Sequence, residues 1–446
     1  MAKTKTLAID LLTRVEGEGA LRVTVDGGRV VDLRLRIFEP PRFFEAFLRG
    51  RAAAELPDLV ARICGICPVA YQMSAVHAIE RAFGVTVDPE IRALRRLYYC
   101  GEWIESHSLH VHLLAAPDFF GCESAIELAR KDRATVERGL RLKKAGNAIV
   151  AALGGRSVHP VGVTIGGFTR APTRRELALL RHDLERARAD ALDCLRWAAG
   201  LPFPEQMLDA EFVSLRHPHE YALNEGRIVS SAGIDVAVEA FDDTFEEYQV
   251  PDSNALHARV RGRGAYFVGP LARLNLNHDR LPASVTSALR DAGVRLPSRN
   301  PFHSIVARAA EMIYALEEAI RIIDAYDVPA RPHVPFEPRA GRGAAITEAP
   351  RGSLYVAVET DARGLVVAVK ITPPTSQNLA QIENDLATTA VETLNLPRAR
   401  AALAFEAQIR NYDPCISCST HFLRLEVVDK TTLTTPDRRP SPGTAR

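Results

Sequence analysis

Arg62-Ile63-Cys64-Gly65-Ile66-Cys67-Pro68 has a counterpart far along the chain, Asp413-Pro414-Cys415-Ile416-Ser417-Cys418-Ser419-Thr420-His421. Each stretch holds a Cys-x-x-Cys, the spacing at which two thiolates converge on one metal. The first opens a segment of helix-spaced apolar residues and the second follows one. A helix N-terminus with an arginine nearby favours the thiolate that binds over the thiol. Soft sulfur ligands suit zinc, an iron–sulfur cluster or nickel. On spacing alone a structural four-cysteine zinc site comes first and an iron–sulfur cluster second, while a redox dithiol would need a βαβ setting that is not evident. Zinc-ribbon pairs lie some tens of residues apart, whereas almost the whole chain separates these two. If they share one metal, the chain must fold back on itself as a single intertwined body.

Working outward, the first forty residues read as strands at Thr6 to Leu12, Ala20 to Val25 and Val30 to Phe38, the latter two joined at Asp26-Gly27-Gly28. Apolar positions at helical spacing then predict helices over Leu59 to Phe83, Pro89 to Ala115, Ser124 to Leu153 and Thr173 to Ala199. Asp88 is the expected cap of the second, with Pro89 in its first turn. Residues 202–300 are irregular, with strand-like pieces around Arg227 to Val238. A further helix is expected from Asn300 and Pro301, a hairpin over Ser353 to Thr372, and helices from Gln377 and Arg398. The predicted class is α-rich α+β, a long-helix bundle with small β hairpins at the N-terminus and in the C-terminal half.

Composition narrows the function. Lysine and arginine nearly balance aspartate and glutamate, for a net charge of +1, so no basic field points to nucleic acid. No stretch approaches the length of apolar sequence that spans a membrane, and the start shows neither a signal peptide nor a twin-arginine signal. The expected location is the cytoplasm. Seven cysteines in 446 residues do not make a disulfide scaffold, and Cys100, Cys122 and Cys194 are dispersed. No G-x-G-x-x-G follows a strand, and no remaining cysteine set is spaced for a cluster. A redox reaction here would therefore need a partner to carry electrons.

The residues around the two pairs resemble the large, catalytic subunit of [NiFe]-hydrogenases. R-I-C-G-I-C and D-P-C-I-S-C-S-T-H match that family's motifs. So do Arg14-Val15-Glu16-Gly17, Gly154-Gly155-Arg-Ser-Val-His159-Pro160, Glu348-Ala-Pro350-Arg351-Gly352 and Pro374-Thr375-Ser-Gln-Asn378, in the family's order. The resemblance implies nickel bound by Cys64, Cys67, Cys415 and Cys418. Cys67 and Cys418 would bridge to an iron carrying CO and cyanide, with Cys64 and Cys415 terminal. It implies Glu16 as the proton relay beside a terminal cysteine. It places Arg351 over the metals in a canopy completed by Asp118, Asp413 and Pro350. It makes Glu45 and His421 ligands of a distant Mg2+ (or Fe2+). Many family members carry a histidine where this chain has Tyr71. The trio His107, His110 and His112 does not share one helix face and reads as core rather than as ligands.

The same resemblance implies reversible heterolytic cleavage of H2, with an iron–sulfur small subunit as electron acceptor and NAD(P)- or flavin-linked diaphorase-type subunits beyond it. It implies one domain over 1–421. Residues 422–446 would be an extension removed by an endopeptidase, assisted by a maturation chaperone, once nickel is in place. The alternatives are an H2-sensing regulatory subunit and a non-catalytic protein in which the four cysteines hold a stabilising zinc. A nickel-free hydrogenase-derived respiratory subunit is disfavoured because all four cysteines are present.

Overall fold

The computed structural model describes residues 4–420. The alternation at the N-terminus forms β1 (Lys5–Ile9), β2 (Gly19–Asp26) and β3 (Arg29–Ile37), an antiparallel meander. Its inward side chains, among them Leu7, Leu21, Val23 and Leu35, pack on the later helices.

The first cysteine loop splits the expected Leu59–Phe83 helix. A single turn at Leu56–Val60 precedes it, and α1 (Pro68–Phe83) starts immediately after Cys67. The bundle follows: α2 (Pro89–Leu109), α3 (Arg133–Gly154), α4 (Arg174–Ala199) and α5 (His303–Asp324). α2 packs against α3 and α5, and α5 against α4. The α2–α3 contact requires glycine, because a Cβ on Gly146 would lie 2.5 Å from the Gly101 carbonyl oxygen. Ile305, Met312, Ile313 and Leu316 of α5 are all buried, and each such side chain contributes at most about 1.5–3 kcal/mol. Thr173 caps α4 in a full capping box with Glu176.

Several boundaries differ from the sequence expectation. Asp88 makes no side-chain cap bond to α2, so the fixed φ of Pro89 starts that helix. α2 does not run on to Ala115 as an α-helix; it widens into a π-helix at His110–Ala115. The segment from Ser124 breaks at Asp132, whose carboxylate accepts from Thr135 and caps α3. Asn300 folds an Asx turn onto the Phe302 amide, and α5 begins at His303.

The hairpin expected over Ser353 to Thr372 exists, but with a third strand. β4 (Gly341–Ala349), β5 (Gly352–Thr360) and β6 (Val366–Thr372) form one antiparallel sheet lying on α1. α6 (Pro374–Thr393) and α7 (Arg398–Asn411) then return the chain to the N-terminal sheet and to the second cysteine loop. Strands between Glu211 and Phe267 form a four-stranded sheet of short strands beside β4 and β5, and a separate two-stranded ladder.

Candidate metal centre

The centre lies where four stretches distant in sequence meet. Cys64 and Cys67 come from the loop before α1, Cys415 and Cys418 from the loop after α7, and all four are buried. Their sulfurs lie within 4.8 Å of one another, with Cys64–Cys415 at 3.6 Å and Cys67–Cys418 at 3.7 Å. One metal held by sulfurs at about 2.3 Å keeps its ligands roughly 3.3–4.6 Å apart, from planar to tetrahedral geometry. The quartet fits a single ion.

Four thiols this close cannot all ionise without a cation among them. Hydrogen bonding from Cys415, Cys418 and Cys67 pulls the Cys64 thiol well below the usual range, and burial pushes Cys415 well above it. Loop amides add to the bias, since the N–H groups of Ile66 and Cys67 reach Cys64 Sγ at 3.3 and 3.4 Å.

Glu16 stands against the second pair. Its Oε2 accepts from Cys415 Sγ at 3.1 Å and from the Ser417 amide at 3.0 Å, while its carbonyl accepts from the Ile416 amide at 2.8 Å. This close approach requires Gly17, with φ +87°, where a Cβ would lie 2.4 Å from a Glu39 carboxylate oxygen and 2.7 Å from Ile416 Cβ. Glu16 itself is half-buried.

Arg351 occupies the tip of the two-residue turn between β4 and β5. Its Nε donates to the Asp413 carbonyl at 2.7 Å and one terminal nitrogen reaches Asp413 Oδ1 at 3.2 Å. Nη1 and the other Asp413 oxygen are buried without a hydrogen-bond partner among the described residues. Burial opposes the guanidinium charge, but Asp413 and the sulfurs of Cys415, Cys67 and Cys64 outweigh it and hold Arg351 well above its ordinary value. Pro350 is fixed by Arg273, which donates to the carbonyls of Ala349 at 2.8 Å and Pro350 at 3.1 Å. Arg273 is itself buried between Glu311 and Glu348.

Asp118 is held by two other arginines. Its oxygens accept from Arg14 at 2.5 Å and from Arg410 at 2.7 and 2.8 Å, and it makes no ion pair with Arg351. It sits in a four-residue helix after the π-helix, where it ties the Arg14–Gly17 stretch to α7. Glu45, in the turn Phe44–Leu48, is buried with Oε1 accepting from the Ile371 amide at 2.7 Å. His421 lies outside the described residues. The Arg42 amide does bond the Thr420 carbonyl at 2.8 Å, so the Glu45 stretch runs beside the approach to that histidine.

Five non-glycine residues among those described have positive φ, and three of them, Arg14 (56°), His159 (47°) and Asp413 (52°), belong to stretches matched by motif. Strain of this kind concentrates at functional sites. His159 bonds the Ala61 carbonyl at 2.7 Å, beside the first cysteine loop. Sequence reasoning did not single out Glu102, which reaches over from α2 to accept the Val69 amide at 2.6 Å and the Ala70 amide at 3.1 Å at the start of α1. It also gave no role to the Thr375 hydroxyl, which accepts the Cys415 amide at 3.0 Å.

The three histidines are core residues. His107 pairs with Glu311 at 2.8 Å, His110 with the Arg410 carbonyl at 2.6 Å and His112 with the Ser108 carbonyl at 3.1 Å. Burial lowers His107 to about 4, so it stays neutral near pH 7 in spite of Glu311.

Comparison with known proteins agrees with this geometry. A family model described as nickel-dependent hydrogenase matches residues 42–139. The chain is 33% identical to sulfhydrogenase 1 subunit alpha of Pyrococcus furiosus, over 94% of this chain and 98% of that protein. It is 32% identical to sulfhydrogenase 2 subunit alpha of the same organism, over 94% of this chain and 100% of that protein. An NAD+-reducing [NiFe]-hydrogenase in the H2-reduced state superposes with a TM-score of 0.85 at 28% identity, covering 94% of this chain and all of that one. The chain belongs to the nickel-dependent hydrogenase family, as a [NiFe]-hydrogenase large, catalytic subunit and hence an oxidoreductase. No helix among the described residues is long and apolar enough to cross a membrane.

Proposed function

We propose that Cys64, Cys67, Cys415 and Cys418 hold nickel, with Cys67 and Cys418 shared with an iron that carries CO and cyanide. A nickel–iron pair supplies heterolytic cleavage of H2 into two electrons and two protons. The chain's part is the proton and the charge. The Cys415 sulfur, 3.1 Å from Glu16 Oε2, hands a proton to that carboxylate, which passes it outward through its exposed side. Arg351, anchored by Asp413 and braced through Pro350, keeps a fixed positive charge with the N–H pair of Nη1 unengaged among the described residues. Asp118 positions the relay stretch through Arg14 and Arg410. The observation that carries the reading is Glu16 against Cys415: a structural zinc site has no use for a half-exposed acid on a ligand sulfur.

On this reading Glu45 and His421 hold the distant Mg2+ (or Fe2+), residues 1–421 are one domain, and residues 422–446 are removed after nickel insertion. Electrons leave to an iron–sulfur small subunit and then to NAD(P) in the cytoplasm. Likeness to the NAD+-reducing enzyme supports that acceptor. An infrared spectrum with metal analysis, on protein purified anaerobically from a host with the maturation machinery, tests the proposal. Bands of metal-bound CO and cyanide with equimolar nickel and iron are expected; zinc without such bands would overturn it.

A further inference from the structure

Helix α7 ends at Asn411, and the last carbonyls of a helix have no partner within it. Two side chains from other elements reach them. His110 Nε2 meets the Arg410 carbonyl at 2.6 Å. Arg308 Nη1, from α5, donates to the Asn411 carbonyl at 3.1 Å and to the Ser304 carbonyl at 3.2 Å. The chain then turns at Asp413, with φ 52°, whose amide donates to the Arg410 carbonyl at 2.9 Å. That turn presents the Asp413 carbonyl and Oδ1 to Arg351. Arg308 thus grips the backbone two residues before the group that anchors Arg351.

A helix cap needs only a donor, and His110, kept neutral by burial, is one. Arg308 brings a charge as well, on a side chain that is 1% exposed and bonded to carbonyls. Burying a guanidinium without a counter-charge is costly, and burial draws this one down to about 10, opposed first by Asp413. The other acids nearby are taken. Glu311 is held by Arg273, His107 and Tyr221, and Asp118 by Arg14 and Arg410. Asp413 has an oxygen to spare, since Oδ2 is buried without a hydrogen-bond partner among the described residues.

We propose that Arg308 is a positioning residue for the hydrogenase reaction, setting the Arg351 guanidinium in place by clamping the Asn411–Asp413 turn and balancing the Asp413 charge. The inference rests on the nickel–iron reading above for what Arg351 does, and on the hydrogen bonds for how it is held. A residue with a side chain keeps a left-handed backbone only where its surroundings impose it. Without the clamp the turn relaxes and takes the anchor of Arg351 with it.

The test is a double-mutant cycle in the matured enzyme, pairing Arg308→Met with Arg351→Lys and reading kcat, the KM for H2 and nickel content. Arg308→Met alone should lower kcat by about 10–10²-fold with KM and nickel unchanged, because it misplaces a group that acts in the transition state. Added to Arg351→Lys it should cost nothing further, and Arg308→Lys should recover most of the loss. Losses that multiply in the double variant, or a kcat untouched by Arg308→Met, overturn the proposal. If Arg308→Met takes up no nickel, its crystal structure decides. Asp413 still at positive φ with Arg351 on its carbonyl overturns the clamp, and a relaxed turn with Arg351 released supports it. Wild type without nickel and without CO and cyanide bands overturns the nickel–iron reading, and the same crystal structure still judges the clamp.

Discussion

The two cysteine pairs share a spacing and little else. Cys64 and Cys67 lead into the sixteen-residue α1, whose first amides are held by Glu102 from α2 and whose side carries β4 and β5. Cys415 leads into a single four-residue turn that contains Cys418. That turn is placed by side chains from elsewhere: Glu16 on Cys415 and Ser417, Thr375 on the Cys415 amide, and Arg42 on the Ser417 carbonyl. One pair is fixed by the body of the fold, the other by hydrogen bonds from three remote segments. A site can thus have a rigid half and a half set in place by a few hydrogen bonds, and substitutions should separate them.

The largest effect tests what the pairs have in common. Cys64→Ser and Cys415→Ser are each expected to abolish nickel retention and H2-dependent dye reduction while the far-ultraviolet circular dichroism stays native. Activity surviving either change would remove that cysteine from the ligand set. Glu16→Gln comes next: H2/D2O exchange should fall by about 10²–10⁴-fold with nickel content unchanged. Loss of nickel instead would make Glu16 an anchor for the Cys415 loop and no more than that.

The rigid half should show itself in pH dependence. Glu105, one turn beyond Glu102 on α2, is pushed up from 4.5 to about 7, first by burial and against the pull of Lys143. Its folded value is above its unfolded one, so its contribution is fully present below the unfolded value and is lost as pH rises through the folded one. Chemical denaturation should show stability falling by about 3 kcal/mol between pH 4.5 and 7 from this group, a slope that Glu105→Gln removes. An unchanged slope would reassign it to other buried acids such as Asp385, raised to about 6 by burial.

The smallest effects sharpen the contrast. Glu102→Ala should lower global stability by about 1–2 kcal/mol through loss of the α1 cap, seen as a lower Tm. Thr375→Val should leave Tm nearly unchanged and speed nickel loss to a chelator, because it frees only the Cys415 loop. The reverse pattern would make the second pair the more deeply anchored one.

Much of this was legible. Alternation located β1 to β3, period-3.6 patterning located α4 and α5, and the motif matches placed Glu16, Arg351 and the four sulfurs in one ring. β4 was missed because Gly341-Arg-Gly343-Ala-Ala has no β propensity; it is a strand because glycine lets it lie against α1, where a Cβ on Gly343 would meet the Ala78 carbonyl oxygen at 2.1 Å. Position along a motif could not reveal the two arginines, one of them 292 residues away, that converge on the Asp118 carboxylate. Glu102, Glu105 and Arg273 read as ordinary polar positions on helices, since their partners come from other segments. The one available signal was charge within otherwise apolar helix faces.

Cys67 and Cys418 are 351 positions apart. At about 5–20 residues per second, a ribosome needs roughly 18–70 s to pass from the first of these cysteines to the second. Through that interval the nascent polypeptide owns half a ligand set. Any ion captured early would sit on two thiols alone, before Arg351 and the cysteine against which Glu16 stands have been made. Commitment to the correct metal is therefore deferred until the second pair has been made.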